Sequence, residues 1–429
     1  MAEPDGGAAP APGAHIAVAL LFLIGLVNYI DRSAMSVLQV PLKAELRLSD
    51  EQMGLLMGFA FFIPYTALSI PMARLADRGN RKLILIAALL LWSAMTCAVG
   101  VAGSFLVLLL LRAGVAIGEA CCLPTSYSLI ADYYPKRCHG TAIAMLGATF
   151  PLGSMMGLVL GGQLEFALGW RGAFLAIGVL GICLAPLLMV AMKEPVRKRG
   201  EDGAAPRSPK LVETLGGMWR RKAFRFCILG LGTQSIASIS LLTWAVPFYT
   251  RSFDLDLAQA SLLVGFGMSL AGAAGTLGGG LVGDRIAKHH PGRLMLMCAL
   301  AAILATPVAL LQLLTGNLTV SIGVALVSSV FVSAYLAPCN AYIQRLAAPG
   351  TRALSAAAGV TVAAVIGGGL APWGVGRLSD HLGAVTGSAA TGLRYAVAFS
   401  ILSCVLAAVC FWLSSRALEN ADKPSGRMA

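Results

Sequence analysis

The chain has 429 residues, is 57% hydrophobic and only 12% charged, and carries a formal net charge of +12, with a mean hydropathy of +0.79. A soluble protein averages about 25% charged and about 45–50% apolar residues, so a soluble globular or disordered chain is excluded and a protein that crosses the bilayer many times is indicated. The ten cysteines lie scattered through apolar runs without metal-ligand spacing to histidine; they count as small packing residues, and no metal site is expected.

Residues 1–14 have no basic leader and read as a disordered cytoplasmic tail rather than a signal peptide. Twelve apolar runs follow, at 15–40, 51–73, 83–102, 104–131, 138–165, 171–192, 223–250, 257–283, 292–313, 317–344, 353–377 and 392–416, each long enough for a transmembrane helix. The polar, basic, Pro- and Gly-containing stretch 193–222 reads as a cytoplasmic linker between two six-helix bundles, 15–192 and 223–416, and 417–429 as a second cytoplasmic tail. The expected fold class is therefore all-α integral membrane.

Orientation follows from Lys and Arg. With both termini in the cytoplasm, the external segments hold six (Lys43, Arg47, Arg171, Arg251, Arg377 and Arg394) and the membrane two (Arg32 and Arg112), which leaves 24 of the 32 inside. The positive charge is thus mainly a topology signal, with contact to anionic head groups as a second use. Nucleic acid is not an expected partner.

The second helix ends in PMARLADRGNRK and the eighth in GGGLVGDRIAKHH, each with an Asp-Arg pair: Asp77-Arg78 and Asp284-Arg285. The fifth and eleventh end in GGQLEFALGWR and GVGRLSDHLG, with Glu165 and Asp380 at the opposite face. Acids at helices 2, 5, 8 and 11 on alternating faces are the trace of four three-helix repeats, inverted within each half. Gly153, Gly157 and Gly161 recur every four residues, and GGG occurs at 278–280 and 367–369; such spacing suits close helix approach. Pro64, Pro124, Pro151 and Pro247 are expected to kink their spans.

Few ionisable residues sit deep in the apolar runs, all in the first half: Asp31 and Arg32 in helix 1, Arg112 and Glu119 in helix 4. A charge at membrane depth costs on the order of 3 kcal/mol or more, which marks it as functional. At ~1.5 Å per residue, Asp31 lies about 24 Å from one end of helix 1 and Arg112 about 12 Å from the opposite end of helix 4, so the two meet at similar depth. Glu119, seven residues on, shares the face of Arg112. One arginine between two acids suits proton coupling: an acid that Arg112 releases becomes a proton acceptor. Arg32, turned by ~100° from Asp31, is a candidate cation for a substrate head group, with Asn28 and Tyr29 beside it. Tyr65, Tyr127, Thr243, Trp244, Tyr335 and Asn340 are candidate cavity residues. The second half offers only neutral polar groups at depth, so a cavity with one charged and one apolar wall would fit an amphiphile better than a small polyanion.

Twelve helices, a basic central loop and the segment RLADRGNRK resemble the major facilitator superfamily over essentially the whole chain. Ala73 and Asn80 replace the glycines usual in that segment. The resemblance implies two bundles that rock about a central path, with Asp77, Arg78 and Arg81 as a cytoplasmic latch and Asp284-Arg285 as its counterpart. Within the superfamily, NYIDR and RAGVAIGEACCLPTSYSLIADYYPKRCHG are similar to the spinster-type lipid transporters. That implies proton-linked export of a lysophospholipid- or sphingoid-phosphate-like molecule along a path lined by Asp31, Arg32, Arg112 and Glu119. The alternative is a proton-coupled organic-anion symporter, since such proteins also carry a DR pair in helix 1 and GEA in helix 4. No H-E-x-x-H, nucleophile elbow or ATP-binding loop is present, so neither an enzyme nor an ATP-driven pump is expected. The expected energy source is the proton gradient without a cofactor; the expected site of action is the cell membrane, as a monomer among membrane lipids.

Overall fold

Gly169 decides how many spans there are. In the computed structural model, eleven helices among the described residues are long and apolar enough to cross a membrane, and one of them, His139–Ala191, runs for 53 residues. At ~1.5 Å per residue that helix would be about 80 Å long, far beyond the ~30 Å hydrocarbon core. Inside it Gly169 adopts φ 69° and ψ 169°, a conformation open to glycine and strained for other residues. The element is therefore two spans, and the total among the described residues is twelve. The structure describes residues 10–135, 138–195, 211–347 and 352–422.

In chain order the spans are α1 (Ala14–Leu46), α2 (Asp50–Ala76), α3 (Arg81–Val99), α4 (Phe105–Tyr133), α5 (139–168), α6 (170–191), α7 (Lys222–Phe253), α8 (Leu257–His289), α9 (Leu294–Leu314), α10 (Leu318–Leu346), α11 (Ala357–Thr386) and α12 (Ala389–Glu419). No strand occurs among the described residues. Several helices start where a side chain satisfies an orphan amide: Asn80 accepts from Leu83 N, Ser104 from Val107 N and Asn317 from Val320 N. Ser49 and Gln52 form a reciprocal capping box at the start of α2. The stretch expected to be all linker ends in a helix, Leu211–Arg220; residues 196–210, 1–9 and 423–429 lie outside the described residues.

The spans are interrupted in a pattern. Proline has no amide hydrogen and crowds the carbonyl four residues earlier. The turn at Ala120–Cys121 accordingly precedes Pro124, that at Ala148 precedes Pro151, and that at Ala334–Tyr335 precedes Pro338. Pro64 and Pro247, both expected to kink their spans, leave the helix around them unbroken. A second family of irregularities falls in α2 at Gly58, in α5 at Ala148, and as π-helical turns in α8 (Leu263–Met268) and α11 (Ala363–Leu370). All four lie in the N-terminal part of their helices, in the second member of each three-helix repeat.

By contacts the chain divides into two compact units: Met1–Leu48, Ala60–Gly203 and Leu257–Gly265 form one; Ser49–Phe59, Ala204–Asp256 and Phe266–Ala429 form the other. In the first, Gly153, Gly157 and Gly161 of α5 lie on Leu26, Ile30 and Ala34 of α1, the same four-residue interval on both helices. A Cβ on Gly157 would stand 2.5 Å from the Ile30 carbonyl oxygen. Gly118 of α4 faces Trp92 of α3, and Gly178 of α6 faces Ser93 and Cys97 of the same helix. The second unit repeats the device: Gly275 and Gly279 of α8 lie on Val330 and Ala334 of α10. Backbone contact this close replaces the hydrophobic drive that lipid removes.

Candidate functional site

The buried charges of the first unit form two crossed pairs. Asp31 and Arg32 are consecutive on α1 and so point ~100° apart. Asp31, 2% exposed, faces Arg112 of α4, 3% exposed, at 3.6 Å between Oδ1 and Nη1. The Thr96 hydroxyl of α3 donates to its other oxygen, Oδ2. Arg32 instead donates from Nε to Oε2 of the fully buried Glu119 at 2.6 Å. Its guanidinium also lies over the rings of Phe61 and Tyr65 of α2, 4.6 Å from each centroid, with Tyr29 at 5.4 Å. Phe61 serves Arg112 as well, at 5.0 Å. One ring thus stands against both cations, and the cation–π contacts add to what the acids supply.

This corrects the expected pairing. Arg112 meets Asp31 but does not bridge the two acids; Glu119 belongs to Arg32. The physical reason is the lean of helical side chains toward the N-terminus. α1 and α4 run in opposite directions, so Arg32 leans back along α1 toward the C-terminal half of α4, where Glu119 sits two turns past Arg112. Arg32, the expected head-group cation, is ion-paired in this conformation, with its side chain 18% exposed. The break at Ala120 follows Glu119 directly, so this acid closes the first segment of α4.

The two pairs differ in tightness. Arg32–Glu119 is a short charge-assisted hydrogen bond, whereas Asp31–Arg112 is an ion pair at 3.6 Å without one. Among the described residues, Asp31 Oδ1, Glu119 Oε1, Arg112 Nε and Asn28 Nδ2 are buried and have no hydrogen-bond partner. Each acid therefore keeps one oxygen that the protein does not satisfy. The cluster is neutral overall, which lowers its cost at depth, yet a proton added to either acid would unbalance it.

The other expected residues are more dispersed. Tyr127 is 42% exposed. In the second unit Trp244 is fully buried, Thr243 is buried, Asn340 is half-buried, and Tyr335 is buried with its ring 6.4 Å from Phe411. Of the expected latch, Arg78, Asp284 and Arg285 are exposed, and the Asp77 side chain lies outside the described residues. Arg81, the first residue of α3, is 2% exposed. It donates to the Asp132 carboxylate, to Glu194 Oε1 at 2.8 Å, and to the carbonyls of Ser128 and Pro195, each at 3.3 Å.

Sequence reasoning missed Phe61 and Thr96, since neither type is unusual in a span. It also missed a network in the second unit. Asp50 accepts both Arg251 Nη groups at 2.8 Å and the Ser379 hydroxyl at 2.7 Å. Asp380 accepts the backbone amides of Asp50 and Glu51 at 3.0 and 2.7 Å, where a carboxylate complements the positive end of a helix. The alternating acid of α11, noted only as a repeat marker, is thus a helix cap. Among the described residues no three His, Cys, Asp or Glu side chains converge as a metal site.

Twelve spans in three-helix repeats, with ion pairs buried in the first half, define a secondary transporter fold. The chain belongs to the major facilitator superfamily, whose model matches residues 21–372, and is a multi-pass membrane transporter rather than an enzyme. It is 33% identical over 406 residues to an MFS-type efflux pump of Mycolicibacterium smegmatis, covering 94% of this chain and 92% of that one. It is 28% identical over 282 residues to a probable L-galactonate transporter of Escherichia coli, covering 63% of this chain and 62% of the other. In structure it resembles a bacterial homolog of the human lysosomal transporter spinster, in an inward-facing and unoccupied conformation. That match has a TM-score of 0.89 and 26% identity, and it covers 98% of this chain and 100% of the other.

Proposed function

We propose that this protein moves an amphiphilic lipid of the lysophospholipid or sphingoid-phosphate class across the cell membrane by alternating access, driven by the proton gradient. The carrying observation is the pair of buried acids, each with its own arginine and each with one unsatisfied oxygen. Two acids with private partners allow one to take a proton while the other pair stays closed. Protonation of Asp31 would release Arg112; protonation of Glu119 would release Arg32, the cation nearer to solvent, for a phosphate or carboxylate. The lipid class rests on the spinster likeness, which spans nearly the whole chain. Export rests on the efflux relative. The Lys and Arg distribution supports a multi-pass protein with both termini cytoplasmic, acting as a monomer. The Asp-Arg pairs at Asp77-Arg78 and Asp284-Arg285 would serve the conformational change as latches, with Arg81 anchoring the first.

A second reading, a proton-coupled organic-anion symporter, is favoured by the likeness to the probable L-galactonate transporter, although that likeness covers less of the chain. Purified protein in liposomes separates the two, with a panel of lysolipids and sugar acids and with or without a pH gradient. The lipid reading expects gradient-dependent lysolipid movement; sugar-acid uptake without lipid binding overturns it. In the same assay Asp31→Asn and Glu119→Gln should each abolish gradient-driven transport while ligand binding persists. An unchanged response to the gradient in both variants would reduce the acids to structural elements.

A further inference from the structure

The second unit carries a groove of about 390 Å³ on its exposed surface, formed by α9 and α12 and remote in sequence from the buried charges. Its walls are Leu296, Leu300 and Ile303 from α9, and Val405, Val409 and Trp412 from α12. These side chains are 36–55% exposed, while Ala299 and Ala408 are 3% and 2% exposed and form the floor. Two alanines where the facing residues are large leave a furrow along the helix pair. The volume falls in the range of small-molecule sites, ~300–1,000 Å³. Both helices are membrane spans, so hydrocarbon rather than water meets this furrow.

One end of the furrow is cationic. Along α12 the lining positions 405, 409 and 412 continue at helical spacing to Arg416, which is exposed and lies over the Trp412 ring at 4.2 Å. Along α9 the positions 303, 300 and 296 continue at the same spacing to Arg293, also exposed. The two helices are pinned together at this end, since the Ser415 hydroxyl donates to the Gly292 carbonyl at 2.6 Å. Among the described residues Arg416 is in no ion pair, and the one acid at this end, Glu419, lies against Gly292, so the two arginines leave the end net positive. Two exposed arginines thus cap the same end of an apolar furrow, with a tryptophan at the boundary, as expected at the level of lipid head groups.

We propose that this groove is a binding site for an anionic phospholipid of the surrounding bilayer: an acyl chain lies over Ala299 and Ala408, and the phosphate sits between Arg293 and Arg416. The net charge selects the head group: Arg holds any lipid phosphate through paired N–H donors, but a choline ammonium beside it is repelled by the two arginines, whereas a glycerol head group is not. The furrow selects the chain, because a straight hydrocarbon regains the van der Waals contacts that the alanines leave open. This lipid is distinct from the transported one and independent of the charges on α1 and α4.

Native mass spectrometry of the purified full chain tests the site, using phosphatidylglycerol and phosphatidylcholine of matched acyl chains as probes. The wild type should retain phosphatidylglycerol through detergent washing. Arg416→Gln and Arg293→Gln should each weaken that retention on the order of tenfold, as for loss of a hydrogen bond to a charged group, and weaken phosphatidylcholine retention distinctly less. Ala408→Leu fills the floor and should abolish retention of both lipids. Leu300→Trp, which blocks the furrow from its exposed wall, provides the same test should the buried substitution impair folding. Phosphatidylglycerol retention unaffected by either blocking variant, or lost equally with phosphatidylcholine in the arginine variants, overturns the proposal in favour of unselective annular lipid.

Discussion

Arg32 of α1 donates to Glu119 of α4 at 2.6 Å, joining residues 87 positions apart, while its neighbour Asp31 turns to Arg112 at 3.6 Å. Each acid of the site therefore has a private base. With one arginine shared between two acids, protonation of either would leave the cation held by the other. With private partners, protonation of one acid frees a specific guanidinium while the second pair holds α1 to α4. Of the two, the looser Asp31–Arg112 contact is the easier to open, and Arg32–Glu119 the more structural in this conformation.

That difference gives the first prediction. Arg32→Gln leaves Glu119 buried without its partner and should cost about 3–5 kcal/mol of stability, the range for one half of a buried pair. Glu119→Gln should cost less, because the partly exposed Arg32 can turn to solvent and keeps its aromatic contacts. The double variant should recover part of the loss from Arg32→Gln. Thermal unfolding in detergent across the four-member cycle reads the coupling; strict additivity would mean that the pair contributes no specific stability.

Gly157 gives a second, independent handle. A Cβ there would stand 2.5 Å from the Ile30 carbonyl oxygen, so Gly157→Ala must push α5 from α1 one residue before Asp31. Overpacking of this kind costs about 1–3 kcal/mol. Transport should fall with it, because the shift moves Asp31 relative to Thr96 and Arg112. Gly147→Ala, where an added Cβ meets nothing within 4 Å, should leave unfolding temperature and transport rate near wild type. Equal effects at the two glycines would exclude helix approach as the cause.

Much of this architecture was legible in the sequence, for definite reasons. Apolar runs count spans because the bilayer admits little else, and the four-residue glycine interval at 153, 157 and 161 reads directly as contact, which α1 supplies at Leu26, Ile30 and Ala34. Asp31, Arg32, Arg112 and Glu119 stand out because charge at depth is costly. Their pairing was not legible. Spacing gives the face of a helix and its depth, whereas the reach of a long arginine along its own axis decides which acid it meets. Phe61 and Thr96 were invisible for the opposite reason: a phenylalanine or a threonine in a span is ordinary, and only the packed neighbour gives it a role. The Asp50–Arg251 pair lay at helix ends, where charge is common and carries no signal.

The basic segment after α2 also divides into a buried and an exposed part. Arg81 is buried among Asp132, Glu194 and two carbonyls, whereas Arg78 is exposed. Arg81→Ala should therefore destabilise the protein by about 3–5 kcal/mol by leaving two acids uncompensated, with Arg81→Lys recovering only part because an ammonium lacks the planar fork. Arg78→Ala should lie within about 0.5 kcal/mol of wild type in stability. Any loss of transport rate it causes then reports on conformational change. Unfolding temperature and initial transport rate measured on the same preparations separate the two roles; equal destabilisation by both substitutions would contradict the burial difference.

Phe61 offers the most discriminating test of the site, because it carries no charge and no titratable proton. Its ring is 4.6 Å from the Arg32 guanidinium and 5.0 Å from that of Arg112, and it stacks on Tyr65 at 5.7 Å. Phe61→Leu keeps a large apolar side chain but removes the π face from both cations, which is worth about 0.5–2 kcal/mol for each contact depending on desolvation. Weakening both arginine positions without removing either acid should leave gradient-driven transport present but slower, with a milder effect than Asp31→Asn or Glu119→Gln. Phe61→Tyr keeps the ring and should restore the rate if the para position accepts a hydroxyl, and a Phe61→Trp variant, with the stronger π face, serves where it does not. The measurement is the initial rate in liposomes at a fixed pH difference, alongside unfolding temperature. A rate that drops in Phe61→Leu and returns with an aromatic residue makes the ring part of the machinery that holds the cations; a rate that follows side-chain volume alone makes it packing.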